Sequence, residues 1–520
     1  MLVRLPLSPC QVTAMLYLAL ATLLALCTIT YRTLYPWLRR RHALSQIPTH
    51  TFTDRPDTQE HYVKSTRDLH YAGYRKFSLN GLPYRVRTSA GGERIVLPTR
   101  YLNEVKNASQ SVISLPDEME DLLLMKYTGV PQRTDSGTKV VRVELTRNLG
   151  NFVGAMQEEC EYGFGRYMPV TQEWSVVMPY HVFAKVVALI SSRVLVGPEL
   201  CRDEGWLRLS IEFSTHAFGA ARKLRTGSKW PWSMWLASWN EPAVAEIRAR
   251  RRQAEELLRP ICEERLKRQK DPDWKRPYDG IQWLLDSHGH SGESTEEVVK
   301  SLLRLNMAAI HNTTMSATNV LFDLLEHSKY LESLRQEIKN VLAEEGGWTK
   351  QALTKLRKMD SLMKETLRMN PTTPITGKRK VLHDYRLHDG LLLPKGSHIA
   401  FASDALNRDP AIYNSPDTFD GMRFHDLREW DETKYQFVTA TSEYLNWGQG
   451  GHACPGTFAV SSRLRRFFAS NEIKLMLAFV LQHYEFKWKP GESRPQSTNI
   501  DWNLIPDREK EVEVRRRSEA

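Results

Sequence analysis

Ten residues near the C-terminal end, Trp447-Gly448-Gln449-Gly450-Gly451-His452-Ala453-Cys454-Pro455-Gly456, constrain this chain most, because they set one cysteine in a glycine-rich loop that opens a helix. Gly448, Gly450 and Gly451 carry no Cβ, so the backbone can approach a flat ligand, and Gly456 allows close packing behind the sulfur. Pro455 suits a first helical turn, where its missing N–H is no loss. The neighbouring amides and the helix dipole then favour an anionic thiolate. The pattern suits a cysteine that binds iron through its sulfur.

Two other readings compete for the same residues. Gly448 to Ala453 also spells Gly-x-Gly-x-x-Ala, a dinucleotide-binding fingerprint. That loop needs a buried apolar strand before it and a βαβ unit around it, whereas the approach here is Thr441-Ser442-Glu443-Tyr444-Leu445-Asn446. Cys454 as a small core residue is the second alternative, and the density of the motif argues against it.

Upstream, Glu365 and Arg368 lie three apart in the helical stretch Met359 to Met369, which puts both charges on one face. Alone they would be a surface ion pair worth under about 1 kcal/mol. Between the pair and the cysteine loop lies Pro416-Asp417-Thr418-Phe419-Asp420-Gly421-Met422-Arg423-Phe424. The apolar stretch from Val298 to Leu325, helical by its period, contains Ala308-Ala309-Ile310-His311-Asn312-Thr313. A second helix, amphipathic, is expected over Val182 to Val196.

The order and spacing of these motifs resemble those of the cytochrome P450 monooxygenases. The loop is similar to their Phe-x-x-Gly-x-x-x-Cys-x-Gly haem signature, with Trp447 in place of Phe, and the upstream motifs resemble their Glu-x-x-Arg and Pro-Glu-Arg-Phe segments. The resemblance implies a mainly α fold with small β-sheets, forming one large domain. It implies haem b with Cys454 as axial thiolate, contoured by Gly448, Gly450 and Gly456, with His452 and Arg142 on the propionates. Arg142 sits in Lys139-Val140-Val141-Arg142, where Thr138 replaces the family's Trp, and Arg379 is a further propionate candidate. Glu365, Arg368 and Arg423 would form a buried cluster that holds the thiolate loop, so that removing one member strands charge at a cost of several kcal/mol.

The segment from Ala308 resembles the family's oxygen-binding helix, where small residues leave room for dioxygen. His311 stands where an acid is usual and Asn312 where threonine is expected, with Thr313 following. Histidine relays protons near neutrality and asparagine both donates and accepts, so these three are the expected catalytic residues. The alternative is that His311 and Asn312 only satisfy backbone groups.

Val12 to Tyr31 carries no charge and is long enough to span a bilayer. It exceeds a signal-peptide core and has no clear small-residue cleavage site. Arg32, Arg39, Arg40 and Arg41 follow it, which by the positive-inside rule puts the body in the cytosol and residues 1–11 in the lumen of the endoplasmic reticulum. The expected organisation is therefore a short N-terminus (1–11), a transmembrane anchor (12–31), a basic linker (32–67) and a haem-thiolate domain (68–520). The net charge of +11 comes with acids interleaved along stretches such as Glu246 to Lys270, a solvated helix face and not a nucleic-acid surface. Anionic lipid and an acidic electron donor are better partners for it. Six scattered cysteines, at 10, 27, 160, 201, 262 and 454, form no zinc or disulfide pattern.

The resemblance implies insertion of one oxygen atom from dioxygen into an apolar small molecule. No nucleotide-binding unit is evident, so electrons come from a separate partner, which the resemblance implies is an NADPH-dependent cytochrome P450 reductase on the same membrane. The motifs resemble those of a fungal secondary-metabolism branch that includes ent-kaurene and indole-diterpene oxidases, which makes a terpenoid the expected substrate. A haem-thiolate isomerase or dehydratase, needing no external oxygen, is the alternative. One anomaly bears on all of this. Fungal members read His-Ala-Cys-Pro-Gly-Arg-Phe-Phe-Ala, but here Thr457 to Arg465 separates Gly456 from Arg466-Phe467-Phe468-Ala469, as an insertion would. If that insertion spoils the pocket, the chain is an impaired haem-binding protein.

Overall fold

The computed structural model describes residues 9–89, 92–132, 134–227, 231–288, 293–450, 453 and 468–518. The long helix Glu293–Glu326 runs through the middle of the helical part, packed by Pro179–Leu195, Glu204–Gly227, Pro242–Arg268, Arg357–Met369 and Phe468–His483. A large apolar cluster fills the spaces between them, from Phe152 and Phe183 through Leu302, Ile310 and Leu321 to Met363 and Leu477.

A second, smaller core lies on a six-stranded mixed sheet. Its strands run in the order Thr49–His50, Tyr84–Arg87, Glu93–Val96, His398–Phe401, Thr376–Val381 and Ile113–Ser114. Glu93–Val96 pairs parallel to His398–Phe401, which pairs antiparallel to Thr376–Val381, so chain segments 300 residues apart share one sheet. A three-stranded sheet, Tyr484–Lys487, Val512–Arg516 and Ser175–Val177, and two short hairpins complete the β structure among the described residues.

The stretch Val298 to Leu325 is helical as its period indicates. The helix over Val182 to Val196 also forms, but it is not amphipathic. Among the residues of Pro179–Leu195, His181 and Lys185 are exposed and nearly all the others are buried, because helices pack on it from several sides. The expected solvated face of Glu246 to Lys270 is present in Pro242–Arg268. Val244, Ile247, Ala254, Leu258 and Cys262 face inward, and Arg250–Glu246, Arg259–Glu255 and Arg268–Glu264 pair along the outside.

The linker expected over 32–67 needs correction. The N-terminal helix does not stop at Tyr31 but continues from Pro9 through Pro36 and the arginines to Ser45. Beyond it, Ile47, Phe52 and Tyr62 are buried against the sheet, Thr49–His50 pairs with Arg85–Val86, and Gln59–Lys64 forms a helix capped by Thr58. The folded body therefore begins near Ile47, about twenty residues before the boundary expected at 68. Three well-separated apolar side chains dock the segment, too few to give a periodic signal.

Candidate functional site

Midway along Glu293–Glu326 one row of residues is more open than its surroundings. Ala308 and Asn312 are exposed and Leu305 and Ala309 half-buried, while Ile310 and the residues from Thr313 to Leu324 are buried. Positions 305, 308, 309 and 312 repeat at three and four residues, so they form a single row on the helix. A core helix with an open row of two alanines and an amide at its centre leaves room for a ligand on that face.

His311 does not belong to this row. One residue turns a helix by about 100°, and the imidazole points to the neighbouring helices instead. Its Nε2 donates to the Ile211 carbonyl (2.7 Å), so Nδ1 is the acceptor for the Tyr180 hydroxyl (3.3 Å). Burial lowers its pKa, opposed by the carbonyl bond and helped by the Arg508 guanidinium, which stacks on Tyr180. The ring is a neutral tie between three helices. The expectation that it faces the oxygen side is therefore corrected: Asn312 faces the open row, its amide donating to Ala308 O (3.2 Å), and Thr313 is buried beside it.

Glu365, Arg368 and Arg423 come together as the sequence implied. Arg368 is fully buried and grips fully buried Glu365 with two bonds, Nε to Oε2 (2.8 Å) and Nη2 to Oε1 (2.7 Å). Its other protons go to the carbonyls of Asn407 (2.8 Å), Pro416 (2.6 Å) and Thr418 (3.3 Å). Arg423 Nε reaches both Glu365 oxygens at 3.2 Å, and the Asp420 N–H donates to Oε1 (3.0 Å). Every charge in the cluster is hydrogen-bonded, the condition under which buried ions are tolerated.

This cluster is bonded through to the cysteine loop by residues that sequence reasoning missed. The Asn407 amide donates to Asn446 Oδ1 (3.1 Å), and the Asn446 amide to Leu367 O (2.7 Å). Lys364 Nζ donates to Gln436 O (2.8 Å) and Thr439 O (3.1 Å), and it lies 4.0 Å from the centre of the Tyr444 ring. Trp447 Nε1 then donates to Phe437 O (2.8 Å), so the segment 436–447 hangs from the helix Arg357–Met369. Side-chain amides in loops carry no periodic signature, which is why only Glu-x-x-Arg could be read in advance.

In the loop itself, Gly448 and Gly450 have φ of +72° and +62°. A Cβ on Gly450 would lie 2.8 Å from Lys106 Cβ and O. Glycine at 450 thus serves a left-handed turn against the helix Leu102–Asn107. His452, Cys454, Gly456 and the segment Thr457 to Arg465 lie outside the described residues.

Two cations bear on whether the site suits a planar group with anionic arms. Arg379 is buried in Thr376–Val381, donates from Nη1 to Lys378 O (2.7 Å), and has no carboxylate partner among the described residues. Burial draws its pKa down to about 10, against the pull of the Glu118 carboxylate. A buried guanidinium without an anion fits a ligand that brings one. Arg142 is half-buried in Val140–Leu145, a turn of π-helix, a form common at functional sites. With the open row on the central helix, these residues fit a haem and its propionates.

A family model described as Cytochrome P450 matches residues 145–513. The chain is 38% identical over 492 residues to the cytochrome P450 monooxygenase ccsG of Aspergillus clavatus, covering 94% of this chain and 95% of that protein. It is 31% identical over 489 residues to the pyrichalasin C-7 hydroxylase of Pyricularia grisea, covering 92% and 94%. Among solved structures, retinoic acid bound cyanobacterial CYP120A1 superposes with a TM-score of 0.64 at 18% identity, over 91% of this chain and 99% of that one, a likeness of fold.

Proposed function

This chain belongs to the cytochrome P450 family, and from that premise we propose that Cys454 is the axial thiolate of its haem b and that its substrate is an apolar fungal secondary metabolite. The protein is a monooxygenase, an oxidoreductase that takes electrons from a redox partner and acts on a small molecule. Haem, when bound, supplies the oxygen activation that no side chain offers.

The observation that carries the residue assignment is the bonded path from Glu365 and Arg368 through Asn407 to Asn446, next to the loop that bears Cys454. That path anchors the segment that leads into the loop, as far as Asn446 and Trp447. Arg379 supports propionate binding through its buried, unmatched charge, with Arg142 and His452 as further candidates. Ala308 and Ala309 leave space on the open row, and Asn312 offers that space a donor and an acceptor. His311 serves as a positioning residue that ties the row's helix to Ile211 and Tyr180. Thr313 is assigned only by its place in the motif.

The family implies a redox partner, and the electron donor we assign is an NADPH-dependent cytochrome P450 reductase. Among the described residues, one helix is long and apolar enough to cross a membrane, Tyr17–Ser45, and its most apolar stretch is not buried in the body. We assign it as an anchor in the endoplasmic reticulum, with the body cytosolic on the strength of Arg32 and Arg39 to Arg41. A second apolar surface supports the membrane reading. The ten-residue helix Pro231–Asn240 exposes Trp232, Trp235, Leu236 and Trp239, and indole rings favour the bilayer interface. Removing residues 1–31 is expected to weaken vesicle binding, and adding Trp235→Ser and Trp239→Ser to release the body altogether. Sedimentation with vesicles reads this, and full release by the truncation alone would remove the tryptophan helix from the account.

The reaction class is tested with isotope-labelled dioxygen, the reductase and NADPH on a panel of apolar fungal metabolites. The expected product carries one labelled oxygen and forms only when NADPH is present. Product without label, or formed without NADPH, would point to the isomerase or dehydratase chemistry instead. Pyrichalasin is the substrate that the name of one relative gives, and the terpenoid expectation rests on sequence resemblance, so both classes belong in the panel.

A further inference from the structure

A cavity of about 280 Å³ lies between the mixed sheet, the C-terminal end of the helix Glu204–Gly227 and the tip of a β-hairpin. Most charges in its wall are matched at close range. Arg94 pairs with Glu118 (2.6 Å), His398 with Glu118 (2.6 Å), Arg85 with Glu93 (2.7 Å), Arg87 with Asp57 (2.9 Å) and Lys380 with Asp121 (2.6 Å). Two wall residues of opposite sign, Arg225 and Asp501, form no ion pair among the described residues.

Asp501 is held where a glycine would be easier. It is the first residue of the two-residue turn between Thr498–Ile500 and Asn503–Ile505, and its φ is +55°. Turns of this kind favour glycine at that position. The tip is pinned, since the Asp501 N–H donates to Val63 O (2.8 Å) and its carbonyl accepts from the Asn499 amide (2.8 Å). Yet Oδ1 of Asp501 is buried and accepts no hydrogen bond. Among the described residues the Asp501 carboxylate is met only at longer range, by the Arg225 charge, and the backbone cost of the turn remains.

Arg225 is oriented as firmly. Its Nη2 donates to the carbonyls of Asp121 (3.0 Å) and Leu122 (2.5 Å), which leaves the other guanidinium protons for a ligand. Burial lowers its pKa, while Asp501, Asp121 and Glu118 act to raise it.

We propose that Asp501 and Arg225 form a clamp for a neutral substrate group that carries an N–H or O–H donor beside a carbonyl, as a lactam does. The donor meets the Asp501 carboxylate and the carbonyl meets the Arg225 guanidinium. A carboxylate ligand would be repelled by Asp501 and an ammonium by Arg225, so the pair selects a dipolar group without net charge. The identity of this ligand as the substrate rests on the monooxygenase reading above; the clamp itself rests on the cavity.

Equilibrium dialysis of the holoenzyme with phenanthridin-6(5H)-one and its N-methyl derivative separates the two claims, because the probes differ only at the N–H. The wild type is expected to bind the lactam about tenfold more tightly, in line with about 1.4 kcal/mol for a hydrogen bond to a charged acceptor. Asp501→Gly, which suits the left-handed turn and so keeps the fold, is expected to bind both equally, and Asp501→Asn to fall between. Equal binding by the wild type, or a preference that survives Asp501→Gly, would overturn the clamp. The reduced carbon-monoxide spectrum of the same samples reports the haem reading independently: loss of the thiolate band with the lactam preference intact would sink that reading and leave the clamp standing.

Discussion

Arg368→Ala is expected to cost about 3–5 kcal/mol, the penalty for breaking a buried, hydrogen-bonded ion pair from one side. Glu365 would keep Arg423 at 3.2 Å, but a fully buried carboxylate would lose its two shortest bonds. The carbonyls of Asn407, Pro416 and Thr418 would lose a shared donor at the same time. Against a typical total of about 5–15 kcal/mol, that loss removes most of the folded, haem-competent protein. Arg368→Lys is expected to fare little better, because one ammonium cannot grip a carboxylate with two parallel bonds and still reach three carbonyls. Arg423→Ala should be milder, since Arg423 is partly exposed and its bonds to Glu365 are longer. Thermal unfolding and haem content of the three variants check this order, and an unchanged melting temperature in Arg368→Ala would refute it.

The second large effect is expected from deleting Thr457 to Arg465. If those nine residues were helical they would displace the following segment by about 13.5 Å and turn it by about two and a half revolutions. The helix that follows, Phe468–His483, is buried along most of its length. Ile473, Met476, Leu477 and Val480 lie in the main core, and Lys474 pairs with Asp360 at 2.6 Å. Its position is therefore set by packing, and the nine residues have to be accommodated between it and Cys454. Deleting them puts Arg466 and Phe467 directly after Gly456, so that the helix dipole can act on the sulfur. Haem occupancy is expected to rise severalfold, read as haem per protein after purification. A deletion variant that loses haem which the full-length chain holds well would make the segment a native part of the fold.

What the sequence made legible has a common physical basis. Glu-x-x-Arg, the long apolar period from Val298 and the interleaved charges of Glu246 to Lys270 are local patterns, set by helical spacing, and the structure forms helices at all three. The parts that needed coordinates depend on contacts between distant segments. His311 is turned by Ile211 and Tyr180, 100 and 131 residues away in the chain. Arg379 becomes notable only once it is seen buried without a carboxylate, and the Asn407–Asn446 bond joins two loops. The strands of the mixed sheet are two to six residues long, too short for alternation to stand out from loop sequence. The early start of the body, near Ile47, was hidden for the same reason.

The central claim is that a cysteine thiolate at position 454 binds haem iron, and the reduced carbon-monoxide difference spectrum of the purified full-length chain tests it most directly. A thiolate-type Soret band is expected in the wild type and in a variant with the other five cysteines replaced by alanine or serine. The same band should be absent in Cys454→Ala. A wild type that binds haem without the band, or a Cys454→Ala variant that retains it, would contradict the account.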